Sequence, residues 1–105
     1  MRKEIQNKEK LIQLILSNKE QIIDFGTSRL GLFGSFVRNE QNDTSDVDIV
    51  VEFLPGRKTY DNFINLVYFL ENLFGRKVEL LTPESISPYI KPYIEREIEY
   101  VSFAG

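Results

Sequence analysis

The chain has 105 residues, a net charge of −3 and 42% apolar residues, enough for one domain with a buried core. It contains neither Cys nor His. Disulfides, thiolate zinc sites, imidazole bases and Ser-His-Asp or Cys-His constellations are therefore excluded, and any metal must be held by oxygen, which favours magnesium or manganese.

No apolar run approaches the roughly 20 residues of a membrane span. Met1 to Lys8 lacks the apolar stretch of a signal peptide. With no cysteine, the expected location is the cytoplasm. Basic pairs occur at Arg57-Lys58 and Arg76-Lys77, but no basic run is long enough to track a phosphate backbone, so nucleic acid is not an expected substrate.

Residues 4–24 have helical periodicity, with Ile5, Leu11, Ile12, Ile15, Leu16, Ile22 and Ile23 on one stripe. Ser17-Asn18-Lys19-Glu20 reads as a capping box that restarts the helix, giving two short helices, and Gly26 as the stop. Residues 29–33 read as the first strand, 35–40 as a helical turn, Asn39 to Thr44 as a polar loop, and 46–53 as the second strand. Leu54-Pro55-Gly56 breaks that strand. An amphipathic helix is expected over 59–74, with Phe63, Leu66, Val67, Leu70 and Leu73 inward and Gly75 at its end. Residues 77–81 read as a third strand. Thr82-Pro83-Glu84 has N-cap chemistry for a short helix, and a last helix is expected over 89–101. Strands alternating with helices imply an α/β (α+β) domain over residues 1–105.

The chemistry concentrates in residues 34–48. Gly34-Ser35 leaves the first strand, ten residues follow, and Asp46-Val47-Asp48 opens the second. Alternate strand residues share a face, so Asp46 and Asp48 lie together with Val47 opposite. Two acids on an otherwise apolar strand repel each other and lose hydration; a divalent cation resolves both penalties. The plainer reading of the acids is a solvated strand end, and that of Gly34-Ser35 a strand-to-helix turn with Ser35 as N-cap. The second is compatible with phosphate binding, because an N-cap exposes backbone N–H groups and Gly permits close approach. Ser35 can donate its hydroxyl to the same phosphates. Arg38 reads equally as a phosphate contact or as a partner of Glu40 or a site carboxylate. No Walker pattern is present. Tyr60, Tyr68, Tyr89, Tyr93 and Tyr100 could stack a base, but their helical spacing suits core or interface filling, and none is assigned.

The Gly-Ser, ten residues, Asp-x-Asp spacing closely resembles the nucleotidyltransferase superfamily of the DNA polymerase beta type. It is most similar to the minimal nucleotidyltransferase family, whose members are typically antitoxins paired with HEPN-domain toxins. The resemblance runs through Leu32-Phe33-Gly34-Ser35, Arg38, Ser45 to Asp48, and Phe74 to Thr82, covering most of residues 28–100. It implies a polymerase beta palm-like fold: a small mixed sheet of three or more strands packed by helices. It also implies ATP as substrate, Mg2+ or Mn2+ on Asp46, Asp48 and a third carboxylate, and nucleotide binding by Gly34, Ser35 and Arg38. The third position is usually Asp; here Lys77-Val78-Glu79-Leu80-Leu81 places Glu79 there. Glu79 adds a methylene, and its plainer reading is an edge-strand acid paired with Lys77 or Arg76.

The resemblance implies transfer of AMP from ATP to a hydroxyl, a tyrosine of a cognate HEPN ribonuclease toxin, with a hetero-oligomer of the two proteins as a natural assembly. The short chain leaves no second domain to grip an acceptor, which favours a partner protein completing the site. Two alternatives stand beside this: an antitoxin that neutralises its toxin by binding alone, and a nucleotidyltransferase acting on an antibiotic-type small molecule.

Overall fold

The computed structural model describes residues 7–103. The expected helical residues 4–6, including Ile5, and the signal-peptide reading of residues 1–6 lie outside them. Two helices open the chain, α1 (Lys8–Ser17) and α2 (Lys19–Asp24). Asn7 caps α1 by accepting from the Lys10 N–H at 2.9 Å. The break falls where the sequence places it, but the predicted Ser17 capping box does not form. Asn18 caps α2 without a side-chain bond and instead donates its amide back to the Leu14 carbonyl at 2.9 Å. Leu11, Ile15 and Ile22 are fully buried, whereas Leu16, expected on the same stripe, is 48% exposed.

Strand β1 (Thr27–Phe33) leads into the single-turn helix α3 (Ser35–Arg38), then β2 (Val47–Phe53), α4 (Tyr60–Phe74) and β3 (Val78–Leu81). Helix α4 ends at the expected Gly75 and is capped at its start by Thr59. Thr59 accepts from the Asn62 N–H at 3.1 Å, and Gly75 ends the helix in the left-handed region at φ 69°. Such a position costs any residue with a Cβ. Leu66, Leu70 and Phe74 of α4 are buried, with Phe63, Val67 and Leu73 packed around them.

The predicted short helix after Thr82 is only a 3-10 turn, Pro83–Ser85. The predicted last helix over 89–101 is corrected in kind. Helix α5 stops at Glu97 after starting at Lys91, and residues Glu99–Ser102 form a fourth strand, β4. The apolar spacing of Ile90, Ile94, Ile98 and Val101 continues the helical period, but β1 offers an unpaired edge. Pairing with that edge outweighs local propensity over so short a segment.

The sheet order is β3-β2-β1-β4, with β2 and β3 parallel and the other pairs antiparallel. This is the small mixed sheet expected. One face carries Leu30, Leu32, Val47, Ile49, Val51, Val78, Leu80 and Val101 into the core against α1, α2 and α4. The five tyrosines take no part in that core: all are at least 42% exposed. On the opposite face, Arg29, Gly31 and Phe33 stand beside Glu52, Val50 and Asp48. Gly31 has no room for a side chain, since a Cβ would lie 2.5 Å from Ile98 and 3.0 Å from Tyr100. The missing side chain lets the corner between α5 and β4 settle onto β1. Among the described residues, no helix is long and apolar enough to cross a membrane.

Candidate active site

The second face of the sheet collects the predicted site residues. Asp48 lies at the start of β2 and is half-buried; Asp46 lies two residues earlier and is exposed. Val47, between them, is fully buried in the core, so burial of one valine turns both acids to the open face. Asp48 and Glu79 are paired residues across β2 and β3. In a parallel pair, residues in register share a face; the third carboxylate is therefore brought beside the second. Glu79 is exposed on the edge strand. Of the two partners considered for it, Lys77 and Arg76, the second is engaged with a loop. Its Nη1 donates to the carbonyls of Asn42 and Ser45, both at 3.0 Å, and pins the loop that delivers Asp46.

Gly34 joins the turn to the carboxylates. Its φ of 83° and ψ of −155° fall in a region that is essentially glycine's alone. A Cβ there would collide with a carboxylate oxygen of Asp48 and lie 3.0 Å from its Cγ. The turn and the acid are in direct contact. Gly34 is also the N-cap of α3, a position the sequence reading gives to Ser35, which is the first helical residue. The N–H groups of Val37 and Arg38 both return to the Gly34 carbonyl at 3.1 Å. Those of Ser35 and Phe36 precede the helix's own ladder. One turn carries little dipole, so these N–H groups and the Ser35 hydroxyl, rather than a macrodipole, are what the turn offers a phosphate.

Arg38 resolves toward carboxylates. Its Nε donates to Glu40 at 3.0 Å, and its Nη1 donates to both oxygens of Glu97, at 3.0 and 3.1 Å. Glu97 also accepts the Gly34 N–H at 2.7 Å. Sequence reading anticipates Glu40 and misses Glu97, which lies 63 residues from Gly34.

The acids act on one another. Partial burial pushes the Asp48 carboxyl up from 3.8 to about 6; Glu79, Asp46 and Glu97 push the same way, and Arg38 opposes them. A cation at Asp48 would relieve this crowding. Among the described residues no three acidic side chains are gathered closely enough to form a metal cage by themselves. Magnesium seldom needs one, since it commonly takes one or two carboxylates and completes its shell with water and substrate phosphates. The all-oxygen donors and the glycine turn against Asp48 fit such an ion. A concavity of about 570 Å³ bounded by Glu71, Asn72, Gly75, Arg76 and Lys77 includes none of these carboxylates. The site is defined by chemistry rather than by depth.

A glycine turn against paired carboxylates, on the open face of a small mixed sheet, is the arrangement expected of a nucleotidyltransferase. The model of the nucleotidyltransferase domain family matches residues 10–101, and the chain belongs to that family. A relative from Methanocaldococcus jannaschii, provisionally named a protein adenylyltransferase, is 41% identical over 90 residues, covering 86% of this chain and 88% of its own. The protein adenylyltransferase MntA of Thermococcus cleftensis is 35% identical over 96 residues, covering 89% and 94%. Among solved structures, one provisionally described as a minimal nucleotidyltransferase superposes with a TM-score of 0.67 at 27% identity, over 84% of this chain and 93% of that one. A chain of a toxin–antitoxin crystal structure with AMP-PNP has the same fold, with a TM-score of 0.67 at 20% identity over 85% and 70%.

The geometry orders two substitutions. Ser35→Ala should weaken binding of ATP with magnesium by about 1–2 kcal/mol, one charge-assisted hydrogen bond. Gly34→Val should do more harm, and for a reason the sequence does not reveal: its side chain meets the Asp48 carboxylate before it meets any phosphate. Calorimetric titration checks the order. An unchanged ATP dissociation constant in Gly34→Val would remove the turn from the phosphate site.

Proposed function

We propose that this chain is a metal-dependent protein adenylyltransferase that acts as an antitoxin, moving AMP from ATP to a hydroxyl of a cognate toxin. The observation that carries the reading is the contact of the Gly34 turn with Asp48, which has Glu79 in register beside it. The names of the relatives, protein adenylyltransferases, give the same reaction class. The toxin–antitoxin neighbour crystallised with AMP-PNP supports a toxin partner and an adenine nucleotide. The family resemblance adds the finer assignment of a tyrosine on a HEPN ribonuclease, silenced by the modification in the cytoplasm.

In this mechanism, Asp46 and Asp48 would hold magnesium or manganese, with Glu79 as the third ligand or as the base. A bound ion supplies charge neutralisation at the phosphates. Ser35 and the first N–H groups of α3 bind and orient the triphosphate, and the clamped Arg38 adds positive charge beside them. The acceptor oxygen attacks the α-phosphorus, and the bond from that phosphorus to the bridging oxygen breaks. Diphosphate leaves, and the hydroxyl proton passes to a carboxylate. Glu79, exposed and in register with Asp48, is the group assigned to receive it.

Radiolabelled ATP tests the reaction class. Label at the α-phosphate should be retained on the partner protein, and label at the γ-phosphate should not. Retention of γ-label would make the reaction phosphoryl transfer and overturn the proposal. Neutralisation by occlusion is the second reading. It is favoured by the exposed third carboxylate, a Glu where the family usually has Asp, and under it neither label is retained.

A further inference from the structure

Glu97 has no part in the sequence motif, yet its carboxylate binds two of the motif's residues. Oε2 accepts the Gly34 N–H at 2.7 Å. Oε1 and Oε2 both accept from Arg38 Nη1, at 3.0 and 3.1 Å. We infer that Glu97 is a positioning residue of the nucleotide site: it ties the Gly34 turn to the Arg38 guanidinium and fixes both for the incoming triphosphate. The inference rests on the nucleotidyltransferase reading above and names a residue that reading does not use.

Three observations support a fixed clamp. The first is that the turn needs an outside anchor. Gly34 adopts a backbone conformation outside the β and α regions, and its N–H precedes the α3 ladder. Glu97 is the group that accepts this N–H. The second is that Arg38 is a long side chain, 47% exposed, which in water would sample many rotamers. Glu97 and Glu40 grip it from two sides, through Nη1 and Nε, and Nη2 takes no part in these bonds. A guanidinium held in this way is oriented before the nucleotide arrives.

The third is that Glu97 itself is anchored. Its side chain is only 22% exposed. It ends α5 two residues before Glu99, which pairs with Leu32 at the edge of the sheet. Ile98, between them, packs where Gly31 leaves room. The backbone that carries Glu97 is thus held between α5 and the β1–β4 pairing. The electrostatics agree with this proximity: Arg38 and Glu97 bear on the Asp48 carboxyl with opposite sign. The clamp therefore delivers one cation beside the crowded acids and neutralises part of its charge with an acid set back from them.

The test uses the full chain, with Glu97→Ala, Glu97→Gln and, as a control, Glu99→Ala. Glu99 is in the same segment but its side chain pairs with Lys8, at 2.8 Å, rather than with Gly34 or Arg38. Three quantities are read: the Gly34 amide proton by NMR, the ATP dissociation constant with magnesium by calorimetry, and Tm. In Glu97→Ala the Gly34 amide should move upfield and exchange faster, and ATP should bind about tenfold more weakly, the scale of a lost charge-assisted contact. Glu97→Gln should fall between, because its amide oxygen still accepts from Gly34 while the charge facing Arg38 is gone. If Glu97→Ala fails to fold, this variant carries the test. Glu99→Ala should lower Tm without moving the Gly34 amide or the ATP affinity. Equal ATP affinity in Glu97→Gln and parent, with the Gly34 amide shifted, would overturn the inference while leaving the nucleotide site intact. Tighter binding in either Glu97 variant would also overturn it, making the carboxylate a competing anion. A parent protein that binds no ATP would remove the nucleotide site, and this inference with it.

Discussion

Asp48→Asn is expected to abolish adenylyl transfer while making the metal-free protein more stable above pH 6. Loss of transfer follows from the position of Asp48 between the Gly34 turn and Glu79. The gain in stability follows from its titration. The folded-state value is raised from 3.8 to about 6, so between those values the folded protein holds a proton that the unfolded chain has released. Stability therefore falls as pH rises through that window, and the full penalty persists above it. Such a shift corresponds to about 3 kcal/mol at full strength, and to about 1–2 kcal/mol at a half-buried, solvent-screened carboxylate. The asparagine removes the penalty. Its Tm advantage over the parent should be present at pH 7–8 and vanish below about pH 4. Magnesium with ATP should then stabilise the parent by mass action and leave Asp48→Asn unchanged. Thermal melts across pH check this. A variant less stable than the parent at pH 8 would contradict the electrostatic account of the site. Asp46→Asn should also lose transfer.

Glu79→Gln should cut the rate of partner modification by about 10²-fold or more, the usual size of a general acid–base contribution. ATP binding should fall less, because Asp46, Asp48 and the turn remain. Glu79→Asp should retain or improve the rate, since it restores the family's usual side chain on a strand whose register already faces Asp48. Initial rates for the parent and both variants decide the matter. Equal rates would return Glu79 to the surface as an ordinary edge-strand acid. Under neutralisation by occlusion, all three proteins would protect against the toxin equally.

Much of this architecture is legible in the chain because it depends on parity and punctuation. Alternation puts Asp46 and Asp48 on one face, and the same parity on the third strand turns Val78 inward and leaves Glu79 on the face of the acids. Gly75 marks the end of α4 by the chemistry of a C-cap. The Gly34-Ser35 turn declares itself by residue type and by distance from the acids.

What is not legible depends on distant partners. Strand β4 exists because β1 has an edge to fill, and its four residues carry too little alternation to displace a helical pattern. Arg76 looks like half of a basic pair until the fold brings the Asn42–Ser45 loop beneath it. The tyrosines read as core or interface filler by their spacing, and only the fold shows that none of the five enters the core. Arg38 among acids implies a carboxylate partner. Nothing local selects Glu97 from the 16 acids of the chain, because it is delivered by the α5–β4 corner, where the apolar spacing is helical throughout.

The most direct measurement of the central claim is the intact mass of the partner protein after incubation with this chain, ATP and magnesium, run beside Asp48→Asn. The account predicts a mass increase of one or more adenylyl groups on the partner with the parent protein, and none with Asp48→Asn or without magnesium. A partner of unchanged mass that is nonetheless silenced by the parent protein would contradict it and make this chain an antitoxin that acts by binding alone.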